Sequence, residues 1–430
     1  MNPLAEKLNK VLEGTTAFEL LSDFGKRFYF PKGIVVQAGE AKQHADKFNA
    51  TIGMAFENRE PIELSSIDSY FTGLSKAETV AYAPTPGDPE LRKLWKEEIG
   101  RKNPLVDSDT ISTPVVVPGL TNGIAQIADL FVEKGDKIVV PDMFWGNYRL
   151  IFEGRKEASF GAFPFFTDAG GLNIPGFEKA MRESARNKRV MLIVNFPNNP
   201  TGYSPTVAEA EELGKMVTGL AEEGFKILAV MDDAYFGLFY EENTYKNSLF
   251  SVLYNAHENI LAVKVDGATK EDFVWGFRLG FVTFGSKGMT EEQYGALNEK
   301  LGGALRSSIS NSSRPAQSII KHALKTGTHV KEKERYFEVL KERYKKVRSI
   351  VENAGPDMPL KPLPFNSGYF MSFLVPERKA EELRVKLLHE EGIGTISIQG
   401  NYLRVAFASV DTGSLEELYK TIFKAAKSLY

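Results

Sequence analysis

A series of short apolar runs in the middle of the chain limits the possible folds most strongly. The runs cover residues 113–118, 137–141, 190–196, 227–232, 260–266 and 279–284. Each is too short for a helix and is apolar at both alternating positions, as strands buried on both faces are. Segments with a helical pattern separate several of them, for example 121–132 and 206–220. This alternation predicts an α/β fold with a mostly parallel central sheet flanked by helices, and ligands bind such sheets at the carboxyl ends of the strands.

The pattern changes near residue 325, where a long charged helix begins that should end at Gly355, before Pro356. A strand, a helix over 377–391, two further strands and a last helix follow it. We expect a smaller α+β domain here, joined by the N-terminal segment, with the ligand cleft between the two domains. The predicted division is an N-terminal segment at 1–65, a large domain at 66–322 and a small domain at 323–430.

Composition excludes several kinds of chemistry. The chain has no cysteine, which removes thiol nucleophiles, iron–sulfur clusters, thiolate zinc sites and disulfides. Its five histidines form no pair with metal-binding spacing, so we expect no metal site. The net charge of -3 argues against nucleic acid as a partner.

No stretch reaches the roughly 20 apolar residues of a membrane span, so we expect no membrane partner. The N-terminal sequence MNPLAEKLNKVLEG has Leu4, Leu8, Val11 and Leu12 at helical spacing with charges between them. It predicts an amphipathic packing helix, since a secretory signal needs an uninterrupted apolar core. The expected location is therefore cytoplasmic.

Polar motifs follow the predicted strands, and each has an ordinary structural explanation when taken alone. NFPNNPTG could be a surface turn and Lys270 a surface charge. Asp232 and Asp233 point to opposite faces of a strand, so they cannot both serve one site. Arg278 could cover apolar surface. Together these residues match one ligand, pyridoxal phosphate, which needs a carboxylate at its ring nitrogen, an amine for its aldehyde and a cation for its phosphate.

With these motifs the chain resembles the class I/II aminotransferases, which are fold-type I pyridoxal-phosphate enzymes. The pieces that match are NPTG at 199–202, D-x-A-Y at 232–235 and a lysine followed by R-x-G at 270–280. Lys264 also follows an apolar run but lacks an arginine at the right distance. The resemblance implies the following roles: Lys270 holds the cofactor and moves a proton, Asp232 pairs with the pyridinium nitrogen, Asn199 and Tyr235 contact the phenolic oxygen, and Arg278 binds the phosphate.

The resemblance extends upstream of these motifs. In VPGLTNG, Leu120 and Thr121 begin a helix whose N-terminus would hold the phosphate. Trp145 stands where the family stacks an aromatic ring on the cofactor. Tyr82 corresponds to the tyrosine that reaches the phosphate of the neighbouring subunit, which implies a homodimer with shared active sites.

Substrate contacts follow from the same resemblance. Arg404 would bind the α-carboxylate, beside Trp145 and Asn199, and Gly53 lies in a loop similar to that of the aspartate and aromatic aminotransferase subgroup. Arg306, or its neighbour Arg314, would bind a distal carboxylate. The implied reaction moves the amino group of an acidic or aromatic L-amino acid to a 2-oxo acid such as 2-oxoglutarate. A pyridoxal-phosphate-dependent lyase or decarboxylase and a non-enzymatic binding protein are the alternatives.

The sequence departs from the family pattern around the lysine. Gly267 replaces the usual hydroxyl residue three positions before Lys270, and Thr269 is the predicted substitute as a phosphate ligand. Glu271 and Asp272 directly after the lysine are also atypical.

Overall fold

The computed structural model describes residues 1–31 and 33–430, apart from the side chain of Val35. A seven-stranded sheet forms its centre. Its strands are β1 (Val115–Val117), β2 (Lys137–Pro141), β3 (Ser159–Phe163), β4 (Arg189–Asn195), β5 (Lys226–Asp232), β6 (Ile260–Asp266) and β7 (Gly280–Gly285). Their order is β1-β7-β6-β5-β4-β2-β3, and β7 alone runs antiparallel to its neighbours. The predicted α/β fold class is confirmed.

Adjacent residues of the central strands face two different core layers. In β4, Leu192 packs into one hydrophobic cluster and Ile193 into the other, and both are buried. This two-sided burial explains why the strands are continuously apolar, because helices cover both faces of the sheet. Strand β3 was missed by the sequence prediction: it lies at the sheet edge and Phe163 is its one buried residue, so it lacks an apolar run.

The helix predicted over 206–220 is present as Val207–Glu222. Thr206 and Glu209 form a capping box at the start of Val207–Glu222. The α-helices are Pro3–Leu12, Thr16–Leu20, Asp23–Arg27, Ile34–His44, Ser65–Asp68, Lys76–Thr79, Pro89–Lys102, Leu120–Phe131, Ile174–Ser184, Val207–Glu222, Phe250–Leu253, Ala268–Glu271, Glu291–Ser308, Arg314–Thr326, Val330–Glu352, Ala380–Glu391 and Leu415–Lys427. Residues Arg149–Arg155 form a π-helical segment. Among the described residues, no helix combines the length and apolar character needed to cross a membrane.

A second, smaller sheet contains β8 (Lys361–Pro362), β9 (Phe370–Leu374), β10 (Ile396–Ile398) and β11 (Tyr402–Ala406). The order is β8-β9-β11-β10, and every pair is antiparallel. The last two helices of the chain pack against each other beside this sheet. The charged helix predicted after residue 325 is Val330–Glu352.

The N-terminal segment contacts residues of both predicted domains. Phe48–Asn49 pairs with Ile393–Gly394 of the small domain. Arg27 instead contacts the large-domain residues Gly154 and Glu157. The domain boundaries at 1–65, 66–322 and 323–430 remain a prediction.

The predicted N-terminal helix is present as Pro3–Leu12, but its packing face differs from the expected one. Leu8 and Val11 are 47% and 74% exposed. Ala5 is the buried residue of this helix, and Asn9 donates a hydrogen bond to the Lys26 carbonyl at 3.0 Å. Leu4 and Leu12 are half-buried, so the small Ala5 and the polar contact of Asn9 seat the helix together with only half of the predicted apolar face.

Candidate active site

Lys270 lies in a short helical turn, Ala268–Glu271, that follows β6. Its Nζ is 4.9 Å from the centre of the Tyr235 ring. Burial, together with the charge of Arg278, lowers the pKa of Lys270 to about 8, although the charge of Asp232 opposes the shift. An amine with such a pKa is partly uncharged near neutral pH, as a nucleophile that attacks an aldehyde has to be.

Asp232 ends β5 and is buried. The hydroxyl of Tyr148 donates to its Oδ2 at 2.5 Å, whereas Oδ1 has no hydrogen-bond partner in the described part of the chain. Burial raises the pKa of Asp232 to about 6, although Tyr148 and Lys270 oppose the shift. A buried carboxylate oxygen without a partner is costly, so this atom fits a cationic N–H donor that comes from outside the protein.

Sequence reasoning missed Tyr148. It lies three residues after Trp145, which is half-buried and packs edge-on against it with the ring centres 5.5 Å apart. The local sequence gives no signal for this contact, because Tyr148 and Asp232 lie 84 positions apart in the chain. Trp145 therefore lies next to the partner of Asp232, and its predicted stacking on the cofactor stays a prediction.

Arg404 projects from β11 and links the small domain to the strand-end loops. It donates to Asn199 Oδ1 at 2.9 Å and to the Thr51 carbonyl at 2.8 Å, and its guanidinium lies 4.3 Å from the Phe370 ring centre. Burial lowers its pKa to about 10, against the effect of Tyr235. Arg404 makes no ion pair with any residue of 1–31 or 33–430, so its charge is available to a bound carboxylate.

Tyr235 lies beside Arg404 and Asn199, and Gly53 lies beside Tyr235. Burial raises the pKa of the Tyr235 hydroxyl, while Arg404 and a hydrogen bond from Asn199 oppose the shift. A Cβ placed on Gly53 would lie 3.6 Å from the Tyr235 hydroxyl oxygen. The N-terminal loop thus closes over Tyr235 with its backbone.

The start of helix Leu120–Phe131 forms a cradle with Arg278. Gly119, the N-cap, has φ 82°, and a Cβ there would lie 2.4 Å from a guanidinium nitrogen of Arg278. Arg278 itself has φ 52° and ψ 48°, a left-handed conformation. Its charge therefore covers the helix N-terminus, where free N–H groups and the helix dipole favour an anion. Thr121 lies half-buried in the first turn of the same helix.

The packing around Gly267 explains why glycine occupies this position. A Cβ at this position would lie 2.5 Å from the Leu279 carbonyl oxygen, so the hydroxyl residue usual in the family does not fit. Thr269 is buried, and its hydroxyl lies 3.4 Å from the same carbonyl oxygen. Its role as a phosphate ligand stays a prediction.

Lys264, the other lysine considered for the cofactor, lies on the opposite face of the sheet from Asp232. Lys264 forms ion pairs with Asp233 and, at 3.4 Å, with Asp266, and all three are buried. Ser248 also donates to Asp233 at 2.6 Å. Asp232 and Asp233 face opposite sides, as expected for neighbouring strand residues. Lys264 has structural partners, whereas Lys270 forms no ion pair with any described residue.

Two predicted site residues lie outside this cluster within one chain. Tyr82 is 91% exposed, and Arg306 is exposed and donates to Ser310 Oγ at 2.6 Å. Arg314, the alternative to Arg306, pairs with the buried Asp88 at 2.9 Å. The roles predicted for Tyr82 and Arg306 involve a second subunit and remain predictions.

Comparison with known proteins places the chain in a family. Residues 71–422 match the family described as aminotransferase class I and II. The chain belongs to this family, whose members are fold-type I pyridoxal-phosphate enzymes.

Individual relatives agree with this assignment. The chain is 26% identical to an aspartate/prephenate aminotransferase of Thermus thermophilus over 81% of this chain and 83% of that protein. It is 30% identical to LL-diaminopimelate aminotransferase 2 of Nostoc sp. over 49% of this chain and 51% of that protein. The chain spans about half the length of several of the curated relatives it matches.

A crystal structure of an aminotransferase from Anaerococcus prevotii shares the fold, with a TM-score of 0.84 and 23% identity. The match covers 95% of this chain and 99% of that one.

Proposed function

We propose that this protein is a pyridoxal-phosphate-dependent aminotransferase that moves the amino group of an L-amino acid to a 2-oxo acid. The observation that carries the proposal is Oδ1 of the buried Asp232, which has no hydrogen-bond partner among the described residues and whose carboxylate interacts electrostatically with Lys270. Arg278 at a helix N-terminus supplies the third requirement, an anion site. These groups fit the ring nitrogen, the aldehyde and the phosphate of the cofactor.

The chain's own residues then have distinct tasks. Arg278, Thr121 and the Leu120 amide bind the phosphate, and Asp232 holds a proton on the ring nitrogen. The bound cofactor supplies an electron-accepting ring. Lys270 would hold the aldehyde of the cofactor, and its amine would remove and return the proton of the substrate α-carbon. Arg404 binds the α-carboxylate, and Asn199 and the Thr51 carbonyl fix its orientation.

For the substrate we propose acidic or aromatic amino acids, with 2-oxoglutarate as an acceptor. The names of the relatives support this class, since one acts on aspartate and prephenate by its name. Arg306 of a second subunit is the proposed contact for a distal carboxylate.

We also propose a cytoplasmic homodimer with shared sites. Phe71, Val80 and Tyr82 are 56%, 83% and 91% exposed, and large apolar or aromatic side chains that cluster in sequence and stay exposed are typical of an interface.

The test is an absorption titration of the purified protein loaded with pyridoxal phosphate. An L-amino acid should convert the spectrum to that of the pyridoxamine form, and a 2-oxo acid should reverse the change. Bound cofactor without such cycling for any amino acid contradicts the proposal. Release of ammonia with a 2-oxo acid, or of carbon dioxide, without an acceptor would instead show a lyase or a decarboxylase.

A further inference from the structure

Two acidic residues, Glu271 and Asp272, directly follow Lys270, and their side chains are only 16% and 3% exposed. Carboxylates at such positions need cationic partners, because burial without one costs several kcal/mol. The roles assigned above to the cofactor and substrate residues use neither of them.

Lysines from two long helices supply those partners. Lys102, the last residue of helix Pro89–Lys102, lies 2.8 Å from Glu271 Oε1. Lys333, in the first turn of helix Val330–Glu352, lies 3.3 Å from the same oxygen and 2.6 Å from Asp272 Oδ1. Lys102, Glu271, Asp272 and Lys333 are called the charge clasp below. It joins the lysine-bearing turn to one helix of the predicted large domain and one helix of the predicted small domain.

The turn that carries Lys270 is short. Helix Ala268–Glu271 has four residues, and its N-cap Gly267 provides no side-chain cap. One isolated turn is not stable by itself, since the first turn of a helix fixes several residues for one hydrogen bond. In the described residues Lys270 Nζ donates no hydrogen bond. The Tyr369 hydroxyl donates to the Lys270 carbonyl at 3.3 Å, and the Thr269 hydroxyl donates to the Leu279 carbonyl at 3.4 Å. The side chains of Ala268 and Thr269 are buried, so the start of the turn is packed, whereas its end is held by the ion pairs of Glu271 and Asp272.

We propose that Glu271 and Asp272 are positioning residues whose ion pairs with Lys102 and Lys333 hold the Lys270 turn in place. The inference rests on the proposed aminotransferase function. Because Lys102 and Lys333 belong to different helices, the clasp fixes the turn from two directions.

A competing explanation is that the charges of the clasp act through space on the pKa of the Lys270 amine and do not hold the turn in place. The charges that shift the pKa of Lys270 are those of Arg278 and Asp232 rather than those of the clasp. The two explanations also differ in sign. Loss of a negative charge in Glu271→Gln and loss of a positive charge in Lys333→Met would change a field in opposite directions, whereas both loosen the turn.

The experiment compares Glu271→Gln, Asp272→Asn and Lys333→Met with Glu98→Gln as a matched control. Glu98 lies 3.5 Å from the same Lys102 and pairs with Arg101, but within residues 1–31 and 33–430 it forms no ion pair or hydrogen bond with the turn. We expect kcat to fall about 10- to 100-fold in all three clasp variants, with a much smaller change in KM, since small displacements of a reacting group cost this much. Glu98→Gln should keep the wild-type kcat, and Lys333→Arg should restore most of it.

A second readout does not depend on turnover. In protein from which the cofactor has been removed, the rate of Lys270 acetylation by acetic anhydride, followed by peptide mass spectrometry, should rise in both Glu271→Gln and Lys333→Met. Unchanged kcat, or changes of opposite sign in the two variants, overturns the proposal.

If a single variant does not fold, the double variant Glu271→Gln/Lys333→Met keeps the net charge and should show the same rise in the acetylation rate of Lys270. Wild-type protein that binds cofactor but does not transaminate refutes the proposed function, while the acetylation rates still decide on the clasp.

Discussion

Arg404 and Asn199 are joined by a buried hydrogen bond of 2.9 Å between the small-domain sheet and the loop after β4. The guanidinium also donates to the Thr51 carbonyl, so two acceptors on different segments fix its plane. An arginine held in this way is oriented before a substrate arrives, which reduces the entropy lost on binding.

Replacement of Arg404 by lysine should therefore be severe. Lysine keeps the charge but cannot donate to Asn199, Thr51 and a carboxylate in the same plane. With hydrogen bonds to charged groups contributing about 1.5–3 kcal/mol each, we expect kcat/KM to fall at least about tenfold, mostly through KM. Steady-state kinetics with one donor and one acceptor measure this change. Arg384→Lys, on a small-domain helix and paired with Glu40 and Glu381, is the control that should stay near wild type.

Tyr148→Phe tests the partner of Asp232. Tyr148 lowers the pKa of this carboxyl group, which burial raises to about 6, so loss of the hydroxyl should raise it further. Because Asp232 must be ionised to hold a proton on the ring nitrogen, activity on the acid side should begin at a higher pH in the variant. The pH dependence of kcat/KM gives the shift.

Tyr203→Phe is the control. It removes a hydroxyl that donates to Glu209 at 2.7 Å, and it should leave the acid side of the pH profile unchanged. An acid limb at the same pH in Tyr148→Phe and wild type would show that this hydrogen bond does not control Asp232.

Lys270→Met should stabilise the cofactor-free protein near neutral pH. The folded-state pKa of about 8 is below the ordinary 10.5, so below pH 8 the folded protein carries a poorly solvated charge. Between about pH 8 and 10.5 the unfolded chain binds more protons, and wild-type stability should rise with pH. We expect a gain of about 1–3 kcal/mol for the variant at pH 7, which disappears above pH 10.5.

Urea unfolding at several pH values measures this gain. Lys264→Met is the matched control, and it should lower stability, because it leaves Asp233 and Asp266 buried without their cation. A Lys270→Met protein less stable than wild type at pH 7 would contradict the prediction.

The sequence was informative where chemistry follows from residue type and position along a strand. Asp232 and Asp233 could be assigned to opposite faces because strand geometry alternates, and the apolar runs located the sheet. Strand β3 was not predictable, since an edge strand needs no continuous apolar run.

Contacts between segments distant in the sequence were not predictable either. The hydrogen bond from Tyr148 to Asp232 joins residues 84 positions apart, and no local pattern encodes it. The clasp lysines Lys102 and Lys333 belong to helices far from residue 270, where each one looks like a solvated surface charge in the sequence.

Gly267→Ser tests why this chain departs from the family pattern before the lysine. The added Cβ would lie 2.5 Å from the Leu279 carbonyl oxygen and 2.8 Å from the Gly280 Cα, both backbone atoms that cannot rotate away. Such overpacking costs about 1–3 kcal/mol, so the variant should be less stable and should bind pyridoxal phosphate no more tightly than wild type. Thermal unfolding and equilibrium titration with the cofactor measure the two effects. Gly276→Ser, in the same loop but with no heavy atom within 4 Å of an added Cβ, is the control and should keep wild-type stability. Tighter cofactor binding in Gly267→Ser would mean that the backbone around Leu279 yields and admits a phosphate ligand at this position.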